Sequence, residues 1–189
     1  TKININKKYR SLQLSKLVEE DEMITLTEPS DLKSSHLHRN RRLIMAISSA
    51  ICTSFKQEIL VGTHNLTASS GDTFKIALYT SDASLGAATT AFSTSNEISN
   101  TSGSAYSSGG ATLTSVTPTT SGTTAICDFA DVSFTSASFT ANGALIYNSS
   151  QSNKAVAVIA FGGDKTVSSG TFTIQFPTAD ASNAIIRIA

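Results

Sequence analysis

The chain has 189 residues with 14 basic and 14 acidic side chains, enough for one domain with a sizeable core plus an extension. Nine of the basic residues fall in residues 1–44, giving that segment a net charge of +3 and leaving −3 on the other 145, which argues against a nucleic-acid groove in the body. No apolar run approaches the ~20 residues of a membrane-spanning helix, and no ordinary secretion signal is read, so a soluble chain is expected.

Residues 1–44 read as an N-terminal arm or leader. TKININKKYR is basic and polar; Leu12, Leu14, Leu17 and Val18 follow, then the acidic run Glu19 to Glu22. One short amphipathic helix is possible there, but isolated helices of that length are marginal in water. Pro29 and a polar stretch lead to the cluster His36, His38, Arg39, Arg41, Arg42, which suits either a disordered leader or a basic arm docked on an acidic surface. Arg41-Arg42-Leu43-Ile44-Met45 can also be encoded by a purine-rich bacterial ribosome-binding site followed by a start codon. The expectation is then that the natural product begins at Met45, which the intact mass of the native protein decides.

Residues 45–189 read as a β-sandwich domain. Ile47, Ile51, Phe55 and Ile59 recur every four residues, the spacing of one helix face, and predict a helix ended near Gly62. From there the period changes to two: Phe74, Ile76 and Leu78 alternate through GDTFKIALYT as in a strand with one buried face. Thr90–Ser93 and Glu97–Ser99 are short strand candidates, and Asn100–Gly110 is turn-rich and predicts an exposed loop. Strands are then predicted at Ala111–Thr117, Thr124–Phe129, Val132–Thr135, Gly143–Tyr147, Ala155–Phe161, Gly170–Pro177 and Ala184–Ile188. Turns are predicted at Asn142-Gly143 and Gly162-Gly163-Asp164. The sum is a mainly β fold, an antiparallel jelly-roll-like sandwich with one N-terminal helix and an extended N-terminal arm.

No catalytic residue is assigned, and no cofactor or metal is expected. His36 and His38 lack the carboxylate or thiolate partners that would complete a metal site, and His64 stands alone beside a helix end as a cap or turn residue. Asp128 and Asp131 sit three apart, which on a strand places them on opposite faces and weakens a shared acid–base site; turn formation and hydrogen bonding between strands is the simpler role. There is no G-x-S-x-G elbow and no phosphate-binding glycine loop. Asn65-Leu66-Thr67, Asn100-Thr101-Ser102 and Asn148-Ser149-Ser150 match glycosylation acceptors, as chance allows in so hydroxyl-rich a chain. Cys52 and Cys127 are too few for a disulfide framework; small buried thiols are expected, and pairing would need their α-carbons within ~7 Å.

Ser and Thr supply 47 of the 145 residues after Ile44. Hydroxyls bond to neighbours without ordering long charged side chains, and few charges guard the sheet edges, so an obligate homo-oligomer is expected.

The segments SFKQEILVGTHNL, GDTFKIALYTSDASLGAATTAF, ANGALIYNSS and NKAVAVIAFGGDKTVSSGTFTIQFPTADASNAIIRIA resemble small β-rich structural proteins of tailed bacteriophages, of the marine and cyanobacterial phage type. The resemblance covers Met45 to Ala189 and leaves residues 1–44 outside. It implies a non-enzymatic virion protein, assembled in the bacterial host cytoplasm, where unpaired cysteines are the rule. A capsid decoration or cement protein is expected, a trimer favoured, bound to the major capsid protein or other virion proteins, without nucleic acid or membrane. A tail, collar or fibre component is the alternative within a virion. A carbohydrate-binding host-attachment module is the reading from another class; it needs exposed aromatic platforms, for which Tyr79, Tyr106 and Tyr147 are the only tyrosines after Met45.

Overall fold

The structure, a computed structural model, describes residues 2–4, 46–99 and 106–189; the arm expected over residues 1–44 lies outside the described residues except at 2–4. In chain order the elements are β1 (Lys2–Asn4), β2 (Ala50–Ile51), α1 (Thr53–Leu60), β3 (Phe74–Tyr79), β4 (Ala111–Thr112), β5 (Ser115–Ser121), β6 (Thr124–Phe129), β7 (Val132–Asn148), β8 (Lys154–Gln175) and β9 (Ile186–Ile188). One sheet has the order β1-β8-β7-β3-β4, with β2 also on β8, and a second has the order β5-β6-β9. The described residues therefore form a mainly β, two-layer sandwich with one short helix. All described pairings between strands are antiparallel except β1 on β8, where Lys2 to Asn4 run parallel to Thr173 to Gln175.

The helix is shorter than its apolar spacing predicts. Ala50 and Ile51 pair with Val158 and Ala157 of β8, the Cys52 amide donates to the Val156 carbonyl at 2.9 Å, and Cys52 is extended at φ −62°, ψ 137°. Residues four apart share a face in a strand as well as in a helix, so Ile47 and Ile51 satisfy the same spacing from a β conformation. The other end is as expected: Gly62 adopts φ +74°, its amide donates to Ile59 and that of Thr63 donates to Glu58, the paired bonds of a glycine-terminated helix.

The central piece is a long hairpin of β7 and β8, turned at residues 149–153. It replaces four separately predicted strands, Val132–Thr135, Gly143–Tyr147, Ala155–Phe161 and Gly170–Pro177, and the two turns predicted between them do not occur. Ala141 faces Lys165 while Gly143 faces Ala160, so Phe161 to Asp164 bulge out against the single residue Asn142, whose amide donates to Asp164 at 2.8 Å. Gly143 is instead a point of close approach: a Cβ there would meet the Ile159 carbonyl oxygen and the Ile47 side chain, each at 2.7 Å.

The predicted strand Ala111–Thr117 is split between the two sheets, and Pro118, expected to follow it, lies inside β5. That strand is a sheet edge, and its register shifts between Val116 and Thr119, so the missing proline N–H breaks no regular ladder. Thr90–Ser93 and Glu97–Ser99 contribute only the single bridges Ala91 to Lys154 and Tyr79 to Glu97. Of the loop expected at Asn100–Gly110, residues 100–105 lie outside the described residues.

Aromatic contacts fill the core, within the first sheet and between the two. Phe74 of the first sheet meets Phe129 of the second at 5.6 Å between ring centroids; Phe172 contacts Phe139 at 5.0 Å and Phe161 at 6.0 Å, and Tyr106 covers Phe134 at 5.4 Å. Each fully buried Phe contributes roughly 1.5–3 kcal/mol. The opposite face of the hairpin carries cross-strand hydroxyl pairs, Ser133 with Thr173 and Thr140 with Thr166, both at 2.8 Å. Such pairs lock strands together while leaving the surface uncharged.

Candidate functional site

The densest set of buried polar groups lies where α1, the loop before β3 and the tip of the β7–β8 hairpin meet. Glu58 Oε2 accepts from His64 Nε2 at 2.8 Å and Oε1 accepts from Lys154 Nζ at 2.5 Å. The Asn148 side-chain amide donates to His64 Nδ1 at 2.9 Å and to Asp72 Oδ2 at 2.7 Å, while its oxygen accepts from the Ser150 amide at 3.0 Å. Asp72 also accepts from the Asn65 amide at 2.9 Å and from Gln151 at 3.4 Å. Phe55 packs on the imidazole at 4.8 Å between centroids.

These bonds fix the imidazole tautomer. The Asp72 carboxylate requires a donor and the Ser150 amide requires an acceptor, so the Asn148 amide has one orientation and presents N–H to His64. His64 Nδ1 is then the acceptor and Nε2 carries the proton toward Glu58. Both ring nitrogens are engaged, and the side chain is fully buried. A histidine held this way has no nitrogen for a substrate or a metal. The acid–His–amide line, which resembles part of a catalytic triad, has no nucleophile in its contacts; it acts as a clamp between the helix and the hairpin tip. His64 is thus not the cap or turn residue expected of it.

Burial raises the Glu58 carboxyl, but hydrogen bonds from Lys154 and His64 outweigh it and hold the group below its ordinary value. Burial likewise raises Asp72, and the Asn65, Asn148 and Gln151 donors bring it below. Carboxyls depressed in the folded state stabilise it above their unfolded values, near 4, and lose that contribution as pH falls through the folded values. Asp128 works in the opposite sense: burial, then the Asp131 charge, raises it. With two clamp carboxylates against one, the urea midpoint is expected to fall as pH drops below about 4, and Glu58→Gln is expected to make that fall shallower. An acid limb as steep in the variant as in the wild type would remove Glu58 from this role.

A second polar lock fixes the loop before β4. Glu97 accepts from Tyr106 and from the Gly109 amide, each at 2.6 Å, and from Ser108 at 2.9 Å, and Tyr106 in turn accepts from the Leu78 amide at 2.9 Å. Burial, and then the hydrogen bond to Glu97, pushes the Tyr106 hydroxyl well above its ordinary value. Tyr79 and Tyr147 are buried too, donating to the Ser93 and Gly109 carbonyls. With Tyr106 at 0 % exposure, none of the three tyrosines offers a stacking surface.

The remaining residues noted in the sequence stay apart. Cys52 and Cys127 are free and buried; burial, aided by Glu58 and Asp128 respectively, pushes both thiols up to about 12, so neither is a ready nucleophile. Asp128 lies in β6 and Asp131 in the connection to β7, where its carboxylate accepts from the Phe176 amide at 2.9 Å, the expected link between strands. Asn148 is wholly buried, and His36 and His38 lie outside the described residues. Among the described residues, no three His, Cys, Asp or Glu side chains gather to hold a metal ion, and no helix is long and apolar enough to cross a membrane.

The described surface carries open concavities. One of about 680 Å³ is walled by small residues between Ala83 and Asn96 with Ala46 and Ser48; another of about 380 Å³ lies beside Phe139 and Val167. A further one, about 530 Å³, is an apolar cleft between the end of α1 and the second sheet. No family model, curated protein or solved structure matches the chain.

Proposed function

We propose that the chain is a non-catalytic structural protein of a tailed-bacteriophage virion, in first place a capsid decoration protein that stabilises the head, acting as a homo-oligomer, a trimer favoured, seated on the major capsid protein. The observation that carries this reading is how the polar groups are used. Glu58, His64, Asp72 and Glu97 are consumed in internal locks, while the outer hairpin face displays neutral hydroxyl pairs. Such a body is suited to packing against neighbours rather than to turning over a substrate. The resemblance of the segments between Met45 and Ala189 to phage structural proteins supports the same reading, and the two free thiols suit assembly in a reducing host cytoplasm. That Tyr79, Tyr106 and Tyr147 are buried weighs against the carbohydrate-binding reading.

The test is the number of copies per purified particle, by quantitative mass spectrometry, together with a density map. Hundreds of copies on the head support decoration. A few copies at the neck or tail move the chain to a collar, tail or fibre role, and absence from the particle overturns the virion reading.

A further inference from the structure

We infer that the apolar cleft at the end of α1 is a contact surface between copies of this chain, filled by the Leu60–Val61 corner of a second copy. The inference rests on the homo-oligomer part of the proposed function and names its contact; the copy count on particles tests the virion part separately.

The cleft is formed by Ile59 and Leu66 on one side and Cys127, Ile186 and Ile188 on the other. At its lip are three of the large apolar side chains the described surface exposes: Leu60 at 83 %, Val61 at 67 % and Ile188 at 44 %. A folded chain rarely concentrates such residues without covering them.

Charge restricts what can cover them. From Ile59 to Gly71 and from Ile98 to Cys127 the sequence has no Asp, Glu, Lys or Arg. The nearby Glu58 and Arg187 are buried, Arg187 donating to the Ala181 carbonyl, and Lys56, half-exposed one turn before Leu60, lies outside the cleft lining. An occupant bringing charge into the cleft itself would lose its hydration with no counter-charge in the lining. The chain itself displays an uncharged apolar counterpart: Leu60 and Val61 are exposed at a helix end fixed by the Gly62 and Thr63 amide bonds, so little ordering is needed on contact. Neighbouring copies therefore cover both the corner and the cleft, each with its counterpart.

The corner alone buries less than the ~800 Å² per partner of a stable interface. The contact must extend over β5, an edge strand whose residues Val116 to Thr120 are exposed and uncharged, and which the Ala68 amide ties to the cleft loop through Thr117 at 3.1 Å.

The experiment is sedimentation equilibrium of the full chain across the micromolar range. The wild type is expected to associate. Leu60→Lys, at a solvent-facing helix end where a cation suits the helix dipole, is expected to keep its melting temperature and to weaken association by roughly thirtyfold or more. Adding Ile188→Glu to the same chain is expected to restore association in a salt-sensitive form, because every corner then meets an acidic cleft. A wild type that stays monomeric overturns the inference, as does a Leu60→Lys chain that associates like the wild type. If Leu60→Lys dissociates and the double variant does not recover, the corner does not seat in the cleft and the inference falls as well.

Discussion

Asn148→Leu is expected to lower stability by about 3 kcal/mol or more, read as a drop in urea midpoint without a change of slope. Leucine keeps the branched shape of asparagine and is the larger of the two, so no cavity is made. What it removes is the donor to Asp72, the donor to His64 and the acceptor for the Ser150 amide, leaving the buried His64 Nδ1 without its donor and Asp72 with only the Asn65 and Gln151 donors. Asn148→Asp is a sharper probe. It sets a second carboxylate against Asp72 Oδ2, and one of two such neighbours titrates upward. Its stability deficit relative to the wild type is therefore expected to be larger at neutral pH than near pH 4. A constant gap would mean that Asp72 and Asn148 are not in contact.

Gly110→Ala is expected to cost several kcal/mol, roughly the sum of a left-handed penalty and severe overpacking. Gly110 adopts φ +71°, and a Cβ on it would lie 1.8 Å from the Ile76 carbonyl oxygen and 2.8 Å from the Ala77 α-carbon. Those atoms belong to β3, buried between β7 and β4, so relief requires β4 to leave its partner. Gly122→Ala supplies the control. It has φ +60° but open space around the added carbon, so it should carry the conformational penalty alone, about 1–2 kcal/mol. Equal losses in the two variants would show that the loop before β4 yields freely. A melting-temperature series on the two proteins measures the difference.

Much of this fold is legible in the sequence because alternation is a direct record of burial. β6 stands as predicted, β3 lacks only its flanking residues, and the hairpin's apolar positions mark its inner face. The errors share a cause: short-range signals were overruled by distant partners. Asn142-Gly143 carries strong turn chemistry, yet β8 opposite it absorbs the irregularity in the Phe161–Asp164 bulge, and Gly143 is needed for the nearness of Ile47 and Ile159. Ile47 and Ile51 obey a spacing that helix and strand share, and only β8, a hundred residues on, decides between them. The clamp was not legible for a similar reason. Glu58, His64, Asp72, Asn148 and Lys154 come from three separate parts of the chain and show no motif spacing. The one available hint was a lone histidine just past a helix end, followed by Asp72 before a strand.

The irregularities of the β7–β8 hairpin have a consequence for how the chain finds its own alignment. A slip of two residues would preserve the in–out alternation of both strands, so the apolar pattern by itself tolerates several alignments. The unpaired extra residues fall on different strands, with Ser136 at φ 49° on β7 and Ser169 at φ 47°, Gly162 and Gly163 on β8. They behave like the wards of a key: sliding one strand past the other would press these left-handed positions onto residues such as Val167 or Thr171, which resist that conformation. Uniqueness of alignment in this long ribbon thus comes from its defects, and a more regular version of the same hairpin would be less certain of its partner residues.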